Sequence, residues 1–287
     1  MASFTVQVLI GLTSAMYLWL IAAGLALIFG VVRVLNAAHA SLYMLGGYMG
    51  FTFYHLLGMD YGLALILSMI SVGFIALFME RLFMRPLYGQ PLEFQLLLTF
   101  AFVLVFDNVA RMAWGTAFTL IKMPAGLAGN IYILDRPFPI HGLFTIGVGM
   151  ALYFIMWFVI SKTWWGRTIR AAASDREMAS AVGVNVPALF SSTFMVAGML
   201  AAFGGVLNLP MQVINASLGG EFIVPAFVVA VIGTLGNITG AFVAALIIGV
   251  VGAICTLYLP LYDVFIPYVI MAVVLIIRPG GLFGKPT

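Results

Sequence analysis

Few side chains in this sequence have the types and the spacing that catalysis or metal binding requires. The three histidines, His39, His55 and His141, are far apart in the sequence, and Cys255 is the only cysteine. The sequence contains no Ser–His–Asp, Cys-x-x-Cys or His-Glu-x-x-His pattern and no Gly-x-x-x-x-Gly-Lys-Ser/Thr loop for nucleotide phosphates. It therefore predicts no metal site and no membrane enzyme, and it predicts that this chain does not hydrolyse ATP by itself.

A second group of candidates consists of polar residues that interrupt long apolar stretches. One such interruption reads "NAAHAS" from Asn36, and the other reads "INASLGGEF" from Ile214. Polar groups inside a membrane are costly, and broken helices with polar starts often line a transport pathway. An equally open alternative is that these residues only cap helices. On the first interpretation, the candidate pathway residues are Asn36, His39, Ser41, Asn215 and Glu221.

Two pairs of glycines are spaced four residues apart, which is the spacing of close helix contacts in membranes. We expect the pairs Gly46/Gly50 and Gly236/Gly240 to serve helix packing.

The most polar stretch in the middle of the chain is "TIRAAASDREMASAVGVN", from Thr168 to Asn185. Its alanine-rich composition predicts one helix of about four turns from Thr168 to Val182, ended by Gly183. This helix is too polar to span a bilayer. It could lie on anionic lipid headgroups, but a docking helix for a cytoplasmic partner fits better, because its small residues let a partner approach closely.

The rest of the chain must position these residues, and its composition is that of a membrane protein: 64% hydrophobic and only 7% charged. A span requires roughly 20 apolar residues. We predict an all-α polytopic membrane protein with about eight transmembrane helices, one short broken or re-entrant helix at 222–236, and an inverted repeat. The apolar segments are 5–30, 39–57, 61–80, 94–113, 140–161, 188–212, 222–236, 240–257 and 260–278.

The chain is expected to form a single transmembrane domain over residues 1–287, with a cytoplasmic coupling loop at 162–187 and an external loop at 114–139. Lys and Arg favour cytoplasmic loops, and the predicted spans divide these residues unequally between the two sides. The N-terminus is therefore predicted outside and the C-terminus inside. The less basic side receives Arg111, Lys122 and Arg136. The cytoplasmic side receives Arg33, Arg81, Arg85, Lys162, Arg167, Arg170, Arg176, Arg278 and Lys285.

Four long, ungapped stretches carry a resemblance to a known family. They are "NAAHASLYMLGGYMG", "GRTIRAAASDREMASAVGVN", "GGEFIVPAFVVAVIGTLGNITGAFVAALIIG" and "IIRPGGLFG". Over essentially its whole length, the sequence resembles the membrane permease subunits of bacterial ATP-driven (ABC) importers for branched-chain amino acids, of the LivH type.

The resemblance implies the permease fold that is shared with ribose-type sugar importers, in the bacterial inner membrane. It implies four kinds of protein partner: a second, LivM-like permease, two cytoplasmic LivG- and LivF-like ATPase subunits, and a periplasmic substrate-binding protein. The lipid bilayer is a further partner, and no nucleic acid is expected. ATP and Mg would be bound by the ATPase subunits, so no cofactor is expected on this chain.

The resemblance also implies that the polar stretch is the coupling helix, through which ATP-driven closure of the ATPase subunits would rock the two halves. The sequence departs from the usual Glu-Ala-Ala spelling of this helix. Urea, short amides or another amino acid are alternative substrates, and a stand-alone channel or ion-coupled carrier is a more distant alternative. The coupling residues carried over are Arg170, Ala171, Asp175, Ala179 and Gly183.

Overall fold

The protein is a bundle of α-helices in a computed structural model that describes residues 2–116 and 121–284. Lys285, counted above among the basic residues, lies outside the described residues. The described residues form one two-stranded sheet, β1 (Asn130–Ile133) and β2 (Arg136–Pro139). They form eleven α-helices: α1 (Ala2–Val32), α2 (His39–Phe51), α3 (Tyr61–Met79), α4 (Leu92–Trp114), α5 (Ile140–Lys162), α6 (Trp164–Ser174), α7 (Arg176–Ala181), α8 (Val186–Asn208), α9 (Leu218–Ile232), α10 (Ile238–Tyr258) and α11 (Ile266–Ile277).

The prediction of a polytopic all-α membrane protein is confirmed, and each of the nine predicted apolar segments contains a helix. The predicted number of about eight spanning helices is not confirmed. Six helices in the described residues are long and apolar enough to cross a membrane, and they include α1, α3, α4, α5, α8 and α10. The apolar helices α2, α9 and α11 are shorter, with 13, 15 and 12 residues.

The helix α1 forms the centre of the bundle. In its most apolar stretch 83% of the residues are buried, compared with 11% in the corresponding stretch of α4. It packs against α8, α9 and α10, whereas α4 exposes large side chains such as Leu97, Leu104 and Met112. Lipid or another apolar surface must therefore cover α4, while protein surrounds α1.

Small residues bring α2 and α8 into direct backbone contact. A Cβ atom added to Gly46 would lie 2.3 Å from Cα of Ala202, and one added to Gly205 would lie 2.0 Å from the carbonyl oxygen of Tyr43. Gly50 lies against the side chain of Val206 in the same interface. Such close approach is the usual basis of helix association in lipid, where the solvent gives no hydrophobic driving force.

The loop between α4 and α5 contains the β-hairpin and no long helix among its described residues. Strands β1 and β2 pair in antiparallel register from Asn130 opposite Pro139 to Ile133 opposite Arg136. The two turn residues, Leu134 and Asp135, have φ angles of 50° and 61°, as a type I′ turn requires. The hairpin places Phe138, which is fully buried, immediately before α5.

The C-terminal ends of α1, α3 and α5 meet the start of α8 at one end of the bundle, which we name the basic end. Here Nη2 of Arg33 donates to the carbonyl of Ala173 over 3.3 Å, and Nη2 of Arg85 donates to the carbonyl of Pro187 over 3.1 Å. The end of α9 also reaches the basic end, because Gly236 lies against Gly30 near the end of α1. Since α8 starts at this end, the chain from α8 through α9 traverses the bundle and returns.

The single helix predicted from Thr168 to Val182 is wrong. The structure divides the stretch into α6 and α7, and the break falls at Asp175, which has extended backbone angles of φ −146° and ψ 110°. Oδ1 of Asp175 accepts a hydrogen bond from the backbone N–H of Met178 over 2.9 Å. The aspartate side chain therefore starts a new helix instead of continuing the old one, a competition typical of Asp.

The contact between α2 and α8 predicts that Gly205→Ala destabilises the protein. The added methyl group would overlap the Tyr43 carbonyl oxygen, so the two helices must separate, at a cost of about 1–3 kcal/mol of unfolding free energy. We expect a lower midpoint of thermal unfolding in detergent. Gly147→Ala in α5 is the matched control, because an added Cβ there meets no atom within 4 Å, and an equal loss in both variants would contradict the prediction.

Candidate functional site

The two short helices α2 and α9 begin with the same turn. Oδ1 of Asn36 accepts from the N–H of Ala38 over 3.1 Å, and Oδ1 of Asn215 accepts from the N–H of Ser217 over 2.8 Å. In both turns the asparagine carbonyl accepts a second bond of 3.2 Å from the N–H three residues later, which belongs to the first helical residue. The matching geometry of the two turns supports the predicted inverted repeat.

The starts of α2 and α9 lie inside the bundle and touch each other. A Cβ atom added to Gly219 would lie 2.8 Å from Oγ of Ser41, and one added to Gly24 would lie 2.3 Å from Nε2 of His39. Gly24 precedes the end of α1 by eight residues, or about 12 Å of helix. The chain after α1 therefore runs back into the bundle before α2 begins, and the two interruptions meet there.

Several polar groups at this junction are buried without hydrogen bonds of normal geometry among the described residues. They include Nδ2 of Asn36, both ring nitrogens of His39 and Oγ of Ser41. All three side chains are at most 1% exposed. Buried polar groups are costly when they have no partner, at about 1–3 kcal/mol each, so polar side chains enclosed in this way are a distinctive feature of the junction.

A cavity of about 890 Å³ lies next to the junction. Its wall includes residues of α1, α8, α9 and α10 and the end of β2. The ring of Phe222 lies in the wall and packs on Tyr43 with 4.9 Å between ring centroids. Nδ2 of Asn208, also in the wall, donates to the Tyr43 hydroxyl over 2.6 Å.

Glu221 is the only formally charged side chain among the described residues that line the cavity. It lies in the first turn of α9, whereas the sequence analysis placed it before the helix. Of the five candidate pathway residues, Glu221 alone is in the cavity wall, and the other four form or adjoin the junction. The remaining polar side chains in the wall are neutral: Gln7, Thr13, Ser14, Tyr17, Asn208, Gln212 and Thr256.

The segment 162–187 covers the basic end with α6 and α7. Of the five candidate coupling residues, Arg170, Ala171, Asp175 and Gly183 are exposed, and Ala179 is buried. The apolar residues of the segment do not share one face, because Ala172 and Ala179 face the bundle while Met178 and Val182 are 61% and 72% exposed. The segment thus presents three large apolar side chains, Trp164, Met178 and Val182, among charged ones.

Two hydrogen bonds and one glycine conformation fix the shape of this segment. Nη1 of Arg170 donates to the carbonyl of Ile160 near the end of α5. At the end of α7, Gly183 has a φ of +89°, and the N–H of Val184 bonds to the carbonyl of Ala179 over 3.0 Å. This pattern is the Schellman motif, in which glycine adopts the left-handed conformation at low cost.

The second glycine pair does not form a face of one helix. Gly236 lies in the turn between α9 and α10 with a φ of +91°, and Gly240 lies in the first turn of α10 against the carbonyl of Gly233. Gly46 and Gly50, in contrast, both lie against α8.

Sequence reasoning missed the buried carboxylate of Glu80, which is 0% exposed. Nε of Arg85 lies 3.4 Å from its Oε1, and the Tyr88 and Ser191 hydroxyls donate to it over 3.0 Å and 2.5 Å. A π-helical turn at Glu80–Met84 brings Glu80 and Arg85 to the same side. The signal available in the sequence was an acidic residue within an apolar stretch, near a basic residue five positions later.

Comparisons with known proteins agree on one family. The family model described as "Branched-chain amino acid transport system / permease component" matches residues 7–275. The high-affinity branched-chain amino acid transport system permease protein BraD of Pseudomonas aeruginosa is 29% identical, over 98% of this chain and 95% of that protein. The corresponding permease protein LivH of Escherichia coli is 27% identical, over 99% and 96%.

A solved structure supports the fold. The chain matches PsaBC from Streptococcus pneumoniae, solved in complex with a Fab, with a TM-score of 0.52 over 96% of this chain and 92% of that chain. Because the identity is only 13%, this likeness concerns the fold alone.

Proposed function

Because the chain belongs to the LivH-type family of branched-chain amino acid permease components, we propose that it is the membrane subunit of an ATP-driven importer for leucine, isoleucine and valine. A periplasmic binding protein delivers the amino acid, and two cytoplasmic ATPase subunits bind ATP and Mg and supply the work. A second, related permease completes the complex in the bacterial inner membrane. The systems in which BraD and LivH act support this choice of substrate.

The observation that carries the proposal is the charge pattern of the cavity. Glu221 offers a carboxylate to an α-ammonium group, and apolar residues such as Phe222 and Ile248 offer contacts to an aliphatic side chain. The amides of Asn208 and Gln212 can face the α-carboxylate. Urea and short amides carry no cationic group, so a wall with one negative charge favours an amino acid over them.

We further propose that the junction of α2 and α9 is the closed part of the pathway. Asn36, His39, Ser41 and Asn215 lie where the two broken helices begin, and their unsatisfied polar groups would gain water or substrate as partners when the helices separate. Broken helices of this kind are tolerated where they line a cavity.

The segment 162–187 is the proposed docking surface for an ATPase subunit, and the basic end is proposed to face the cytoplasm. Met178 and Val182 offer exposed apolar contacts, and the same segment also exposes the charged Arg170 and Glu177. A surface that combines apolar contacts with charged residues is common in protein interfaces. If the segment instead lay on the membrane surface, its apolar residues would be buried among the lipid headgroups. Binding of the ATPase subunit to this segment distinguishes the docking surface from the membrane-surface helix.

The test is leucine uptake into proteoliposomes that contain the permease pair and its ATPase subunits. Uptake that requires ATP, the ATPase subunits and the binding protein is expected. Uptake by the permease alone would instead identify a stand-alone carrier or channel.

In the same assay, Glu221→Gln should lower the rate of leucine uptake by about tenfold, the usual effect of losing one charge-assisted hydrogen bond. Glu93→Gln is the matched control, because Glu93 is exposed at the start of α4 and is not in the cavity wall. Uptake by Glu221→Gln equal to that of the control would contradict the role of Glu221.

Asp175→Arg and Gly183→Pro should each uncouple transport while the permease remains in the membrane. The first removes the N-terminal cap of α7 and reverses the charge there, and the second cannot adopt a φ of +89°. We expect loss of transport-linked ATP hydrolysis, measured in purified complexes. Ser180→Ala, on the exposed surface of α7, is the control, and wild-type ATP hydrolysis in both variants would rule out the coupling role.

Side-specific labelling tests the orientation. In a Cys255→Ser background without ATPase subunits, Ser180→Cys should react with a membrane-impermeant maleimide only after the cells are permeabilised, because Ser180 is exposed on the side assigned to the cytoplasm. Ala179→Cys should stay unreactive because Ala179 is 3% exposed. Labelling of Ser180→Cys in intact cells would reverse the assigned orientation.

A further inference from the structure

Two arginines at the basic end join the C-terminal end of α1 to the segment 162–187. Arg33 follows α1, and its Nη2 donates to the carbonyl of Ala173 in the last turn of α6 over 3.3 Å. Arg176 begins α7, and its Nη2 donates to the carbonyl of Val32, the last residue of α1. We name this reciprocal pair, Arg33 and Arg176, the arginine clamp.

The chemistry of the two acceptors explains why arginine suits both positions. The last carbonyls of a helix have no partner within the helix, and they carry the negative end of its dipole. Each guanidinium therefore makes a charge-assisted bond to a helix terminus. Arg33 has a φ of 60°, a left-handed conformation that a residue with a Cβ adopts at a cost of about 1–2 kcal/mol, and this conformation directs the chain away from α1 at the clamp.

Arg176 also connects the clamp to α8 and α3. Its guanidinium carbon lies 5.0 Å from the ring centroid of Phe190. Phe190 in turn packs edge-on against Tyr88, with 5.5 Å between ring centroids. The hydroxyl of Tyr88 donates to the carboxylate of Glu80. Burial, and then the charge of Arg33, lowers the pKa of the Arg176 guanidinium below its ordinary value. The clamp therefore holds two like charges close together, which requires firm contacts on both sides.

The clamped helix α1 is one of the helices that reach the cavity. Its N-terminal half contributes Gln7, Thr13, Tyr17 and other residues to the cavity wall, and its C-terminal residue, Val32, accepts the bond from Arg176. A continuous helix of 31 residues is about 46 Å long. A displacement of its buried C-terminal end must therefore move the cavity wall or bend the helix.

We propose that the arginine clamp transmits movement of the segment 162–187 to α1, and through α1 to the cavity. Arg33 and Arg176 are positioning residues on this interpretation, since neither lines the cavity. The inference rests on the proposed function, and it adds the route by which the coupling segment acts on the pathway. A purely structural role of the clamp would reduce the amount of assembled complex, whereas transmission changes how much amino acid moves for each ATP hydrolysed.

The experiment compares Arg33→Gln, Arg176→Gln and the double variant in proteoliposomes with the ATPase subunits and the binding protein. Glutamine keeps much of the arginine stem and removes its charge. Arg81→Gln is the matched control, because Arg81 is an exposed arginine next to Glu80 that lies outside the segment 162–187 and outside the cavity wall. The measured quantity is leucine transported per ATP hydrolysed, together with the yield of assembled complex.

We expect each clamp variant to lower this ratio by about fivefold or more, the usual scale of coupling between sites, with normal assembly and a normal ratio in the control. The double variant should be no worse than the worse single variant, because residues that act as a unit are not additive. A ratio within twofold of wild type in both single variants, or losses that multiply in the double variant, would overturn the proposal.

A lysine variant tests the transmission of movement if the glutamine variants do not assemble. Arg176→Lys keeps the charge, but an ammonium group cannot bond the Val32 carbonyl and stack flat on Phe190 at the same time, as the planar guanidinium does. An intermediate ratio is therefore expected, and a wild-type ratio overturns the proposal. Failure of the proposed function gives a different result, since the wild-type permease would then bind no ATPase subunits and show no ATP-dependent uptake.

Discussion

Backbone hydrogen bonding inside the bundle is the constraint on which the rest of the structure depends. The helices α2 and α9 start where neighbouring helices replace water, and the first N–H groups of a helix have no partner of their own. Asn36 and Asn215 supply that partner with their side-chain oxygens. Because both turns are closed in this way, two helices can begin in the interior, and the chain can leave room for a cavity beside them.

Glycine contacts then hold α2 against the long helix α8, and the start of α9 against α2. Gly46 and Gly205 join α2 to α8, and Gly219 joins the start of α9 to Ser41. Within the described part of the chain, these contacts enclose polar atoms of the junction without hydrogen bonds of normal geometry, so the packing that stabilises the bundle also maintains an unfavourable interior. A transport protein needs such a balance, because its pathway must close tightly and still open at moderate cost.

Much of the fold could be predicted from the sequence because hydropathy and broken apolar stretches depend on local composition. The segments around Asn36 and Asn215 are examples, as is the helix end at Gly183. The break at Asp175 could not be predicted, because the choice between continuing a helix and capping a new one is nearly balanced for Asp. The Glu80–Arg85 pair was missed because residues five apart do not share a face of a regular α-helix. The burial of Ala179 and the exposure of Met178 could not be predicted either, because they depend on how the segment folds onto the bundle.

The π-helical turn at Glu80–Met84 has a consequence for how the chain length can vary. Such a turn contains one residue more than the regular helix that would replace it. Deleting one residue between Glu80 and Arg85 would let α3 continue as a regular helix, and the arginine would then follow Glu80 by four positions, a spacing that shares one face of an α-helix. The ion pair can therefore survive the loss of the extra residue. Inserting a further residue would instead rotate Arg85 by about 100° around the helix axis and leave the buried carboxylate of Glu80 without its guanidinium partner. The segment therefore tolerates a shorter chain better than a longer one.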